Sequence, residues 1–202
     1  MEDSYAICDD MMDGLSKSMG LVGEKRLQLQ HQKLFPSTSS TVLQCYPVAN
    51  LPPNTSQGHF VHTDSGTLSV LFVSDWGLQV YSSQQDRWES VLPRAGCAIV
   101  NVGDSLRFLS GLRLKSSLHR VVPLPQREMV GPRYSIAFFL RPNNDAAFTD
   151  AEGRQWTGSE FLNMKLLNYR RPHQEQKQSS LATGQKGYLG LRQEVESTQP
   201  AW

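Results

Sequence analysis

Between Thr41 and Pro142 the apolar residues come only in short runs, each stopped within a few positions by Pro, Gly, Asn, Asp or Ser. Thr41–Tyr46, His59–His62, Leu68–Val73, Gly77–Tyr81, Trp88–Val91, Cys97–Val102, Leu106–Leu109, Ser117–Val122 and Tyr134–Leu140 all read as strands. Pro47 stops the first, and Pro52-Pro53-Asn54 opens a loop that runs to Gly58. Gly77–Tyr81 and Trp88–Val91 pair as a hairpin around Ser82–Asp86. Strands at intervals of about 8–12 residues predict a sandwich or jelly roll, not alternating βα units. No GxGxxG and no Walker pattern is present, so nucleotide-binding folds lose their usual support.

The flanks read differently. In residues 2–20, Ile7, Met11, Leu15 and Met19 recur every fourth residue with Cys8 and Met12 beside them, which predicts a helix packed by one apolar stripe. Gly20 follows as its C′ residue. Residues 21–40 are polar, with a short second helix expected over Glu24–Lys33 and a loop at Pro36–Ser40. After Pro142 a helix is expected over Thr157–Tyr169, capped by Thr157 or Ser159. Phe161, Lys165 and Asn168 share one side of it, and Leu162, Leu166 and Tyr169 another. The expected division is a helical segment at 1–40, a β-rich core at 41–142, a C-terminal helix region at 143–171 and a loose polar tail at 172–202.

Charge balance narrows the partners. The 20 Lys plus Arg and 19 Asp plus Glu leave a formal charge of +1, which offers nothing to nucleic acid or an anionic membrane. No stretch approaches about 18 consecutive apolar residues, so no membrane-spanning helix is expected. The start, Met1-Glu2-Asp3-Ser4, lacks the basic and apolar regions of a secretory signal. Cys8, Cys45 and Cys97 are scattered and form no CxxC, so neither disulfides nor a zinc cluster is expected. The default is a soluble cytoplasmic protein.

Of the five histidines, His62 stands apart because Asp64 lies two residues on. Residues i and i+2 of a strand project from one face, so His62-Thr63-Asp64 presents an imidazole and a carboxylate together. These two with one distant histidine make the 2-His-1-carboxylate set of non-haem Fe(II) centres, which leaves open positions for other ligands. His119, inside the run Ser117–Val122, supplies the distant histidine. By the same alternation Arg133 and Ser135 share a face, and a guanidinium fork beside a hydroxyl suits a carboxylate. Arg120 points away from His119, and His59 lies three residues before His62 and so faces the other way. Asn101, Gly103 and Asp104 read as a turn between two strands, and Gly77 and Trp88 as hairpin and core residues. His31 and His173 receive no role.

These residues resemble the iron- and 2-oxoglutarate-dependent dioxygenases of the isopenicillin N synthase-like group. The likeness runs from about Thr41 to Pro142: Tyr46-Pro47, Gly58-His59-Phe60-Val61-His62-Thr63-Asp64 with Leu68, and Gly77-Leu78-Gln79-Val80 with Trp88. It continues through Val100-Asn101-Val102-Gly103-Asp104, Leu109-Ser110-Gly111, Lys115-Ser116, His119-Arg120-Val121 and Arg133-Tyr134-Ser135 to Phe139 and Pro142. The resemblance implies a mainly β fold with flanking helices, a double-stranded β-helix (a cupin-like jelly roll) with its site at the open end. It implies Fe(II) held by His62, Asp64 and His119, and 2-oxoglutarate chelating that iron with its far carboxylate at Arg133 and Ser135. Tyr46 matches a tyrosine that often hydrogen-bonds the co-substrate, and O₂ binds last. The implied activity is hydroxylation, desaturation or ring formation on a small organic molecule, with no nucleic acid or membrane partner. The stretch from Trp156 to His173 looks most like fungal members, which often act in specialised metabolism.

Two departures from the family pattern carry expectations of their own. The N-terminal dioxygenase module that usually precedes the helix at 2–20 reads as absent, which predicts an exposed sheet edge and an exposed part of the apolar core. Gln44 stands where relatives often have Asn, on the same strand face as Tyr46. Two alternatives accompany the dioxygenase reading. One is an oxidase of the same fold without 2-oxoglutarate, whose Arg133 and Ser135 would hold a substrate carboxylate. The other is a truncated, inactive paralogue acting as a non-catalytic binding protein.

Overall fold

A computed structural model describes residues 2–46, 61–122, 132–172 and 175. Helix α1 spans Glu2–Ser18, and the strands follow as β1 Ser40–Tyr46, β2 Leu68–Val73, β3 Leu78–Ser82, β4 Arg87–Ser90 and β5 Ile99–Val102. Then come α2 Asp104–Leu109, β6 His119–Val121, β7 Arg133–Leu140, β8 Ala147–Thr149, β9 Gln155–Thr157 and α3 Gly158–Tyr169. The loop at 52–58, His59, His173 and nearly all of the expected tail lie outside the described residues.

The strands form an antiparallel sheet in the order β1-β7-β2-β5, a second in the order β4-β3-β6, and a small β8-β9 pair. The segment leading into β2 is tied to β6 where His62 and His119 exchange both backbone hydrogen bonds, at 3.1 and 3.0 Å. Strand β7 shows how the large sheet is clad. Arg133, Ser135 and Ala137 are buried on its inner face while Tyr134 and Ile136 are exposed on the outer. From Phe138 onward the outer face is buried too, because Leu68, Val70, Phe138 and Leu140 pack there against Cys8 and Met12 of α1, with Leu27 and Leu106. Beyond the reach of α1 the same outer face stays open. Leu43, Ile136 and Phe72 are in register across three strands and all are exposed, and β1 is an edge among the described residues.

Three local expectations are overturned. First, the buried line of α1 is Cys8, Met12 and Ser16, while Ile7 and Met11 are largely exposed. The apolar stripe sits beside the true inner line, which is chosen by what α1 meets; Ser16 is buried because it donates to Gln28 Oε1 and accepts from the Leu27 amide. Second, the helix expected over Glu24–Lys33 is two 3₁₀ turns, Gly23–Lys25 and Leu27–Gln30. Third, Leu106–Leu109 is not a strand but part of α2. An apolar run this short fits either period, and the entry to α2 is settled by tertiary bonds. The Asp104 and Ser105 amides donate to the carbonyls of Asp64 and Gly66 at 2.8 and 3.0 Å. A Cβ on Gly103 would stand 2.2 Å from the Gly66 carbonyl oxygen, so only glycine lets these segments meet.

His31 has a structural role. It is buried between α1 and the sheet, with Nδ1 2.8 Å from the Leu27 carbonyl and Nε2 2.6 Å from Thr67 Oγ1. A carbonyl only accepts, so Nδ1 carries the proton and Nε2 accepts from the threonine. Burial pushes its pKa down to about 4, against a weaker opposing pull from the Leu27 carbonyl. The unfolded chain, with histidine near 6.5, binds the proton first, so stability is full above about pH 6.5 and falls toward pH 4. His31→Gln is expected to flatten the pH dependence of the unfolding midpoint across that window. The same slope in both proteins would contradict it.

Candidate metal and carboxylate site

Two backbone positions and one side-chain fork bring the chemistry together. His62, Asp64 and His119 each present a ligand atom, and the three atoms lie within 4.8 Å of one another. No other cluster of this kind occurs among the described residues. The His62–His119 bridge aligns the two imidazoles, whose centroids are 4.3 Å apart. Asp64 Oδ1 lies 3.7 Å from His62 Nε2 and 3.6 Å from His119 Nε2. The other oxygen, Oδ2, is occupied: Ser69 Oγ donates to it at 2.7 Å and Asn101 Nδ2 at 2.9 Å. The carboxylate is thus turned to offer a single oxygen. His119 Nδ1 lies 3.0 Å from the Ser117 carbonyl, so it carries the proton and leaves Nε2 bare toward the cluster.

The electrostatics keep these groups ready to ligate. Burial raises the Asp64 carboxyl, but His119, His62 and the Ser69 hydroxyl outweigh it and hold the group well below the ordinary carboxylate range. Burial lowers the His119 pKa, opposed by Asp64 and assisted by His62. A carboxylate held ionised between two imidazoles, with His119 Nε2 turned toward it, is the donor set that a divalent first-row metal takes.

Asn101 and Asp104 depart from the turn read for them. Asn101 is a strand residue of β5 that holds Asp64, in register with Ser69, which holds the same oxygen. Asp104 is fully buried and pairs with Lys165 Nζ at 2.6 Å. Arg120 does face away from the cluster, stacking 4.2 Å over Trp88 and donating to Gln79 Oε1 at 2.9 Å.

The second element of the site comes from β1 and β7. Register sets Tyr46 opposite Arg133 and Gln44 opposite Ser135, all on the inner face. Ser69 and Asn101 belong to that same face through the pairs Ser69–Phe139 and Ser69–Asn101. Ser135 Oγ donates to Gln44 Oε1 at 3.1 Å. Arg133 is 2 % exposed, and its Nε donates to the Trp76 carbonyl at 2.9 Å. Among the described residues its Nη1 and Nη2 are buried without a well-placed acceptor, with the Tyr46 side chain alongside helping to hold the charge. The Tyr46 ring lies 5.1 Å from the guanidinium carbon. Burial disfavours the Arg133 charge, so a buried fork with both ends unsatisfied is costly as it stands and is suited to an incoming carboxylate.

The family model of the 2OG-Fe(II) oxygenase superfamily matches residues 38–142. The chain is 44 % identical over 183 residues to "2-oxoglutarate-dependent dioxygenase iboH" of Amanita muscaria, covering 90 % of this chain and 88 % of that protein. It is 39 % identical to "2-oxoglutarate-dependent dioxygenase FG08081" of Gibberella zeae, covering 93 % of this chain and 54 % of the relative. Among solved structures it resembles a full-length Neurospora crassa protein in complex with alpha-KG, with a TM-score of 0.68 and 26 % identity over 82 % of this chain and 55 % of that one. It also resembles the rice dioxygenase for auxin oxidation, with a TM-score of 0.65 and 26 % identity over 90 % of this chain and 60 % of that one. The fold is thus the double-stranded β-helix. The chain spans most of the Amanita relative but only about half of the Gibberella and Neurospora proteins.

Proposed function

Because this chain belongs to the 2OG-Fe(II) oxygenase superfamily, we propose that it is an Fe(II)- and 2-oxoglutarate-dependent dioxygenase that oxidises a small organic molecule. Hydroxylation, desaturation and ring formation all begin with the same hydrogen abstraction. His62, Asp64 and His119 hold the metal, and Arg133 with Ser135 seats the far carboxylate of 2-oxoglutarate. The observation that carries the second half is the Arg133 fork, buried with both Nη atoms unsatisfied on the face that also holds Asp64. A bidentate carboxylate satisfies both at once. Tyr46 flanks that seat, and the Ser135 hydroxyl, which donates to Gln44 Oε1, turns its proton to the carboxylate when the ligand enters.

When bound, Fe(II), 2-oxoglutarate and O₂ supply the oxidising chemistry, with 2-oxoglutarate leaving as succinate and CO₂. The protein's own part is orientation. Ser69 and Asn101 restrict Asp64 to one donor oxygen, and the Ser117 carbonyl fixes the His119 tautomer. The complete ligand set speaks against an inactive paralogue. A chain that releases succinate from 2-oxoglutarate with Fe(II) and O₂, and stops when any one is withheld, meets the proposal. Substrate oxidation without succinate would assign Arg133 and Ser135 to a substrate carboxylate instead.

A further inference from the structure

We propose that Lys165 and Tyr169 of α3 are positioning residues for the metal centre, acting through Thr63, the residue between the two ligands His62 and Asp64. This rests on the reading of His62, Asp64 and His119 as metal ligands. Thr63 is fully buried. Its carbonyl accepts from Lys165 Nζ at 3.2 Å and from the Tyr169 hydroxyl at 3.0 Å. Its hydroxyl donates to Asp104 Oδ2 at 2.8 Å and accepts from Lys165 Nζ at 3.1 Å. Asp104 also accepts from Ser116 Oγ and pairs with Lys165, neither side chain of that ion pair being exposed at all. The Tyr169 ring then stands edge-on to His62, with centroids 5.9 Å apart at 87°.

The tripeptide His62-Thr63-Asp64 is thereby held at every carbonyl. His119 binds that of His62, Lys165 and Tyr169 that of Thr63, and the Asp104 amide that of Asp64. The plane of the Thr63–Asp64 peptide sets the angle at which Asp64 meets His62. Stability alone is a poor reason for this device, since a buried ion pair offsets little more than its own desolvation. An apolar residue at 165 would simply extend the stripe begun by Phe161, which is buried on the same helix. What an apolar residue cannot do is orient a carbonyl. A polar brace behind a ligand pair orients the ligands.

The test uses the full chain and reads Fe(II) affinity by anaerobic titration beside the unfolding midpoint of the metal-free protein. Tyr169→Phe removes one hydroxyl and keeps the ring against His62. Lys165→Met/Asp104→Asn removes the ion pair without stranding a charge. Each is expected to bind Fe(II) about 10-fold more weakly or worse, with the midpoint of Tyr169→Phe close to that of the parent. Tyr169→Phe decides alone if the double variant does not fold. Unchanged Fe(II) affinity in Tyr169→Phe would reduce the brace to ordinary packing and overturn the proposal. Failure of the unaltered chain to bind Fe(II) would instead overturn the metal-site reading on which it rests.

Discussion

Asp64→Ala is expected to abolish Fe(II) binding while leaving a folded domain. In the proposed site Asp64 is the anionic ligand, and its Oδ1 faces both imidazole Nε2 atoms. Without it only the two imidazoles remain, and the loss should exceed the roughly 100-fold seen when a supporting residue is removed. The apo fold should tolerate the change. Ser69 and Asn101 lose an acceptor, but the backbone contacts of this segment, from the His62–His119 exchange to the Asp104 amide, are untouched. His62→Ala should behave the same way. Stoichiometric Fe(II) retained by either variant, measured anaerobically beside its unfolding midpoint, would remove the cluster from the account.

Arg133→Ala separates function from stability in the opposite sense to most core substitutions. Among the described residues the fork bonds through Nε to the Trp76 carbonyl and lies beside the Tyr46 ring, while Nη1 and Nη2 are buried without a well-placed acceptor. Removing a buried cation in that state costs the apo protein little. The ligand loses much more: two charge-assisted hydrogen bonds, on the order of 3 kcal/mol together, or more than roughly 100-fold in 2-oxoglutarate affinity. Arg133→Lys should recover only part, because an ammonium restores a point charge but not the planar fork. Calorimetric titration of the Fe(II)-loaded protein, compared with apo unfolding, checks both halves. Unchanged affinity, or a collapse of apo stability, would give Arg133 a different role.

The candidate site residues are legible because strand alternation is a two-residue rule. Arg133 and Ser135, and Gln44 and Tyr46, share a face by count alone and stand on the inner side of β7 and β1, while His62 and Asp64 lie outside the named strands and are brought together by the His62–His119 bridge. Residues whose work depends on contacts distant in the chain were not legible. Asn101 reads as a turn residue until its register with Ser69 brings it to Asp64. Asp104 acquires its meaning from partners distant in the chain, Thr63 41 residues before it and Lys165 61 residues after. One signal was present: Lys165 lies on the same side of its helix as Phe161, and a lysine on an inward face needs a buried partner. The phase of α1 and the helical form of α2 were likewise set by what those segments touch, through Ser16 to Leu27 and Gln28, and through Asp104 to Asp64.

The most direct measurement is anaerobic titration of the purified chain with Fe(II) and then 2-oxoglutarate, following the visible charge-transfer absorption of the chelate. A band that saturates with both ligands, and that Asp64→Ala and Arg133→Ala each suppress, is the predicted result. A folded chain that binds Fe(II) and 2-oxoglutarate without forming the band, or that binds neither, would contradict a site built from His62, Asp64, His119 and the Arg133 fork.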